Sequence, residues 1–263
     1  MLRVGLVGCG TIGSQLALAI DRRYSHTARL VALHDQDQQQ ALRLQRRLRH
    51  SPRLCSLPAL IQRSQLILEA ASAAAAPTVV RAAIRAHRDV FVMSVGGLLS
   101  DSAWQRLAQR SGSRVYLPSG ALAGLDGVKA MAVGRIKTIS LTTRKPPTAL
   151  AGAPHLKERR FSRRPVAVFE GSARAVVRAF PQNTNIAAAL TFASRNRRRV
   201  RVRVIADPTI RMNMHELDVV GDCGRIRCRI ESRPSANPKT SELAVRSALA
   251  TLDGILNPIH IGT

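Results

Sequence analysis

The sequence predicts a two-part α/β chain. Residues 1–121, completed by a helix returning from about 241–263, form a doubly wound parallel sheet, and residues 122–240 form an α+β domain with an open mixed or antiparallel sheet. Three observations predict it. Apolar runs of strand length alternate with helical periodicity through the first half, the pattern of a parallel sheet wound right-handedly. The first of those runs ends in Gly8-x-Gly10-x-x-Gly13. Beyond Leu122, strands that alternate polar and apolar residues prevail over helices.

The first strand and its glycine turn set the register for the rest of the first half. Leu2 to Val7 is apolar but for Arg3, and Leu16, Ala19 and Ile20 recur at helical spacing after Gly13. Gly8 takes the turn, Gly10 lets the backbone approach a pyrophosphate, and Gly13 lets helix and strand pack closely. Thr11 and Ile12 open the helix whose free N–H groups would face the phosphates. A second strand, Arg29 to His34, ends in Asp35, roughly 20 residues after Gly13, where a carboxylate receives the ribose hydroxyls of an adenosine. Strand, turn, helix and acid together predict a Rossmann-type site for a nicotinamide dinucleotide. Asp35 repels a 2′-phosphate and so favours NAD. The arginines of the following helix leave NADP open as an alternative.

The remaining elements of the first half come in order. Gln36 to Leu48 reads as a helix and Ser56 to Arg63 as a short one. Gln65 to Ser72 is a continuous apolar strand of the kind buried on both faces. Its end puts Ala71 and Ser72 at the carboxyl edge, where open α/β sheets bind ligands. A helix over Pro77 to His87, a strand over Asp89 to Ser94, a turn at Val95-Gly96-Gly97, a helix capped by Asp101 and a strand over Arg114 to Leu117 complete it. In the second half a linking helix precedes a strand over Ile136 to Thr143. Two helices come next, roughly Ser172 to Phe180 and Thr184 to Ala193. Arg199 to Ile205 then alternates arginine with apolar residues, and Glu216 to Val220 and Arg225 to Ile230 form a hairpin turning at 221–224. The final helix, Ser241 to Gly254, is expected to pack back on the first domain.

Composition bounds the function. No apolar run reaches transmembrane length and no signal peptide is legible at the start, so a soluble, cytoplasmic protein is expected. Cys9, Cys55, Cys223 and Cys228 lack metal-ligand spacing, which predicts reduced, mostly buried thiols and no metal. The formal net charge of +25 would suit a nucleic-acid or membrane surface. Against that, the basic residues are spread along the chain, aromatics make up only 3%, and no nucleic-acid-binding motif accompanies them. Neither nucleic acid nor membrane is therefore an expected partner. The clusters at 159–164 and 195–199 read as solvated surface, and the charge favours anionic small molecules.

A dinucleotide half needs a substrate half with a proton-transfer group, and histidine is the natural candidate near neutral pH. Of the seven histidines, position favours His215, in Asn213-Met214-His215-Glu216 at the entrance to a strand, without excluding a structural role.

Seven blocks then carry a resemblance: 118–127 (Pro-Ser-Gly-Ala-Leu-Ala-Gly-Leu-Asp-Gly), 142–147 (Thr-Thr-Arg-Lys-Pro-Pro), Phe169-Glu170-Gly171-Ser172-Ala173, 180–188 with Asn185, Ala206-Asp207-Pro208, Asn213-Met214-His215-Glu216, and 237–241 (Asn-Pro-Lys-Thr-Ser). In this order, over nearly the whole chain, the sequence resembles the L-aspartate dehydrogenase family. The resemblance implies NAD(P)-dependent oxidation of L-aspartate to iminoaspartate, which hydrolyses to oxaloacetate and ammonia or feeds NAD biosynthesis. It also implies that His215 is the catalytic histidine, that Ala121 and Asn185 contact the cofactor, and that the protein is a homodimer through the second-domain sheet. Arg144 and Lys145, in a cation-rich loop, together with Asn213 and Lys239, are candidates to hold the substrate. The rivals are a related two-domain reductase or dehydrogenase for another small carboxylate and a non-catalytic dinucleotide sensor with a basic, nucleic-acid-binding surface. The paired-histidine signature of dihydrodipicolinate reductase is missing. No cysteine stands where a semialdehyde dehydrogenase needs its nucleophile.

Overall fold

The computed structural model describes all residues except 157–162, 181–184, 196–199, 236–239, 260 and 263. The chain divides into two compact units, residues 1–118 with 248–260 and residues 119–247 with 261–263.

In the first unit the strands are β1 (Leu2–Val7), β2 (Ala28–His34), β3 (Arg53–Leu54), β4 (Leu66–Glu69), β5 (Asp89–Val92) and β6 (Val115–Tyr116). All pair in parallel, in the order β3-β2-β1-β4-β5-β6, so the winding reverses between β1 and β4. Between them run α1 (Thr11–Arg22), α2 (Gln38–Gln45), α3 (Leu57–Arg63), α4 (Ala76–Arg85) and α5 (Ala103–Ser111). Every residue of β4 is buried, as a central parallel strand requires. Leu6, Leu16, Ile20, Leu33, Leu68 and Phe91 make the core on one side of the sheet. Two local readings change. The stretch Val95–Leu99 is a turn of 3₁₀ helix, and the residue preceding α5 is Ser102, while Asp101 supplies the cap by accepting from the Ala103 N–H at 2.8 Å.

The second unit holds α6 (Leu125–Met131), β7 (Ile136–Lys145), α7 (Pro147–Leu150), β8 (Val166–Ser172), α8 (Ala173–Ala179), α9 (Asn185–Ala193), β9 (Val200–Ala206), β10 (Asn213–Gly221) and β11 (Arg225–Ser232). Its sheet runs β11-β10-β7-β9-β8 and is mixed: β7 pairs with β9 in parallel and every other pair is antiparallel. Strand β8 and helix α7 were not expected from the sequence. The hairpin β10–β11 turns where predicted, with Gly221 N–H donating to Gly224 O at 2.9 Å, but its strands are longer. One face of the sheet is polar: Arg201, Arg203, Arg225, Arg227 and Arg229 are exposed, with Asp218 receiving Arg225 and Arg227. The other buries Leu141, Val202, Val204 and Leu217.

The last helix, α10 (Glu242–Leu256), enters the first unit at Ala248, and there Ala248 and Leu252 are fully buried in the core. Asp253 of the same helix accepts from the Tyr24 hydroxyl at 2.9 Å. The four thiols are free, but of them only Cys9 is buried. Cys55 and Cys228 are half-buried and Cys223 is exposed, because the last two lie on a surface hairpin. Among the described residues no helix is long and apolar enough to cross a membrane.

Candidate functional site

The glycine turn has the shape its sequence demands. Gly8 sits at φ +93°, and a Cβ there would meet the Ala70 carbonyl group at 2.5–2.6 Å. A Cβ on Gly13 would lie 1.9 Å from the Gly8 oxygen, so helix α1 is seated directly on the turn. Gly10 is the N-cap of α1 and offers no side chain to its free N–H groups. A Cβ on Gly10 would meet only Gln40 Oε1, at 3.5 Å, which leaves this side of the turn open. Thr11 is exposed at the first helical position, and Ile12 packs against the core. Beside them a groove of about 520 Å³ runs between α1 and α2, lined by Gly10, Thr11, Ser14, Gln40, Arg43 and Arg47 among others. An open helix N-terminus on a glycine turn fits a pyrophosphate.

Asp35 is drawn into this turn. One carboxylate oxygen accepts from the Cys9 N–H at 2.6 Å and the other from the Asp37 N–H at 2.8 Å. Each oxygen retains a second lone pair for a ribose hydroxyl. Ala71 and Ser72 are exposed just beyond the carboxyl end of β4, as expected of residues at the switch point.

In the second unit, Gly120 at φ +67° brings the chain against α9, where its Cβ would stand 3.1 Å from Ile186. Ala121, buried, follows Gly120, and Asn185, the first residue of α9, precedes Ile186.

The second constellation lies on the covered face of the mixed sheet. His215 is the third residue of β10, inside the strand and not at its entrance, and pairs with Thr143 of β7. Its Nδ1 is 3.1 Å from Thr143 Oγ1. Met214 pairs with Arg144, which brings Asn213 to the end of the sheet where Lys145 lies. Thr143, Lys145, Asn213 and His215 are all buried, none more than 4% exposed. Asn213 Nδ2 donates to Ser241 Oγ at 3.1 Å, and its Oδ1 is buried with no partner among the described residues. Burial, and then the charge of Lys145, pushes the His215 imidazole down to about 3, so it is neutral across the physiological range. Burial pushes the Lys145 ammonium down to about 8.

The three cation candidates separate. Arg144 and Lys145 are not in a loop, because β7 continues to Lys145 and stops only at Pro146. Strand alternation sends them to opposite faces. Arg144 is ion-paired with Asp207 at 3.2 Å, and its backbone neighbour Lys145 goes to the His215 cluster. Lys239 lies outside the described residues. Thr143 was overlooked in the sequence; its signal was the apolar alternation of Ile139 and Leu141, which predicts position 143 on the same buried face.

Comparison with known proteins agrees with this two-part organisation. A family model described as "Aspartate dehydrogenase, C-terminal" matches residues 126–255, and one described as "Homoserine dehydrogenase, NAD binding domain" matches residues 8–118. L-aspartate dehydrogenases of Methanosarcina barkeri and Methanosarcina acetivorans are 43% and 41% identical, each aligned over the whole of both chains. The crystal structure of an aspartate dehydrogenase from Thermotoga maritima, 21% identical, superimposes over the whole of both chains with a TM-score of 0.76, a likeness of fold.

Proposed function

Since the chain belongs to the L-aspartate dehydrogenase family, we propose that it oxidises L-aspartate at Cα with NAD as the hydride acceptor, through the buried cluster around His215. The observation that carries this reading is the burial of His215 and Lys145 on one sheet face, beside an amide oxygen of Asn213 that has no partner among the described residues. NAD, when bound, supplies the two-electron acceptor. The chain's residues do the rest. Lys145 holds a substrate carboxylate by a charge-assisted hydrogen bond. Asn213 Oδ1 accepts from the substrate amino group. With Nδ1 donating to Thr143 Oγ1, His215 Nε2 keeps its lone pair and takes the proton released from the substrate ammonium.

Atoms and electrons balance: after His215 takes one proton from the ammonium, the amine loses hydride from Cα to NAD, giving iminoaspartate as its iminium, whose further nitrogen proton goes to water. Water then yields oxaloacetate and ammonia, or the imine feeds NAD biosynthesis. Residues 1–121 serve the cofactor and 122–240 the substrate. Gly8, Gly10, Thr11, Ile12, Gly13, Asp35, Ala71, Ser72, Ala121 and Asn185 are assigned to the cofactor. NAD is the preferred form, supported by the Asp35 carboxylate. Arg43 and Arg47 in the adjacent groove offer a 2′-phosphate two cations, so NADP is used less efficiently.

The test is NADH formation at 340 nm with L-aspartate, L-glutamate, L-alanine, L-homoserine and L-malate. Turnover with L-aspartate, reduced about 10²–10⁴-fold in His215→Asn with NADH affinity unchanged, is expected. Equal turnover in the variant would remove His215 from the chemistry. We further propose a homodimer through the polar face of the second-unit sheet, whose alternating arginines and acids suit a two-fold contact. A monomer by light scattering at micromolar concentration would contradict it.

A further inference from the structure

Strand β4 ends in Glu69, a carboxylate with no exposed surface. A buried acid is costly unless its oxygens are satisfied, and here they are. Glu69 Oε1 accepts from the Ala71 N–H at 2.9 Å, and Oε2 accepts from the Ser94 N–H at 3.0 Å. The Ser72 N–H and the Ser94 hydroxyl also hydrogen-bond to it. Burial raises the pKa of this carboxyl, and the bonds from Ser94, Ala71 and Ser72 oppose that rise.

The partners belong to two different turns. Ala71 and Ser72 follow β4, whereas Ser94 follows β5 and opens the 3₁₀ turn Val95–Leu99. The same turns touch through their backbones, since a Cβ on Gly97 would lie 2.1 Å from the Ala73 oxygen. Both stand at the carboxyl end of the sheet. They flank the switch point on the β4 and β5 side, while Asp35 ends β2 on the other. A doubly wound sheet binds one mononucleotide on each half. With the adenosine ribose on Asp35, the β4 and β5 turns face the nicotinamide mononucleotide.

We infer that Glu69 is a positioning residue for the nicotinamide half of the cofactor, tying the two turns into one surface by four hydrogen bonds to a single buried carboxylate. The inference rests on the assignment of Ala71 and Ser72 to the cofactor. Glu69 itself touches neither substrate nor cofactor. A neutral amide at 69 would lose one acceptor and turn an N–H₂ toward a backbone N–H. The turns would part, and the adenosine half would be unaffected.

Two ligands separate the halves: NADH, and ADP-ribose, which has the adenosine and pyrophosphate but no nicotinamide. Their dissociation constants are measured by calorimetry on the full chain. In Glu69→Gln, NADH is expected to weaken about tenfold, the scale of one lost charge-assisted hydrogen bond, with ADP-ribose within about twofold of the wild type. Ser94→Ala removes only the hydroxyl donor and keeps the three backbone N–H groups that bind Glu69, so it is the milder variant should Glu69→Gln fail to fold. It is expected to weaken NADH about threefold with the same selectivity. Parallel weakening of both ligands, or no weakening of either, overturns the inference. A wild type that binds NADH no tighter than ADP-ribose overturns the assignment of Ala71 and Ser72 before any variant is made.

Discussion

Replacing Lys145 by methionine should make the protein more stable and less active. The ammonium is 3% exposed, and burial pushes it from 10.5 to about 8. At pH 7 lysine is charged in both the folded and unfolded chain, so the folded state alone bears the desolvation. At about 1.36 kcal/mol per pH unit that cost is about 3 kcal/mol. Methionine fills a similar length without charge. Lys145→Met should therefore raise the melting temperature at pH 7 by roughly 6–12 °C. The sign reverses nowhere but the gap closes with pH. Between about 8 and 10.5 the unfolded lysine still holds a proton that the folded one has released, so wild-type stability climbs with pH and the variant's does not. Above that window the two proteins converge. The same change removes the second cause of the low His215 value, which should rise from about 3. Activity moves the other way, with kcat/KM for L-aspartate falling about 10–100-fold for the lost charge-assisted bond. Thermal melts at pH 7 and pH 10 on both proteins decide the matter. A variant that melts no higher than wild type at pH 7, or an advantage that persists undiminished at pH 10, refutes the reasoning.

Gly13→Ala would set a Cβ 1.9 Å from the Gly8 oxygen, so the turn must open; NADH binding by fluorescence titration should fall at least about tenfold, and wild-type affinity would show that the turn can yield. Asp35→Ala removes both the repulsion of a 2′-phosphate and the acceptors for the Cys9 and Asp37 N–H groups. Steady-state kinetics should show NAD efficiency falling by about 10-fold or more and NADP changing less, so an unchanged NAD-to-NADP ratio would speak against the assignment. Arg144→Gln breaks a partly exposed ion pair with Asp207 on the face opposite His215, and KM for L-aspartate should stay within about threefold, whereas a hundredfold rise would make Arg144 a substrate ligand.

How much of this was legible depended on how local each feature is. The glycine turn, Asp35 and the carboxyl edge after β4 were readable because each derives from neighbours in sequence and from one periodicity. Strand β8 escaped because it runs directly into α8, with Ser172 ending the one and capping the other, and only that shared residue is legible, as helix. The alternation from Ile136 reads as ending at Thr143, which puts Arg144 and Lys145 in a loop. Proline ends a strand at its own position and left Arg144 and Lys145 inside β7. The contact of His215 with Thr143 spans 72 residues and exists only through the antiparallel register of β7 and β10, which no local pattern encodes. Glu69 was invisible for the opposite reason. A lone acid inside the apolar run Gln65 to Ser72 names no partner of its own until two separate turns are seen to close over it.

The alternation in the mixed sheet separates two properties of the protein that share the same strands. Reading across the outer face, Arg227, Asp218, Ser140 and Arg201 stand side by side, as do Arg229, Glu216, Thr142 and Arg203. Across the inner face the corresponding row is Ile230, His215, Thr143 and Val204. Exchanging the five exposed arginines of the outer face for neutral residues would lower the formal charge from +25 to +20 and disturb the proposed dimer contact, yet leave every inner neighbour in place. An insertion of one residue in β7 would do the reverse, leaving composition nearly untouched while exchanging the faces of Arg144 and Lys145. The outer row thus bears on charge and association, while the length of β7 bears on the chemistry.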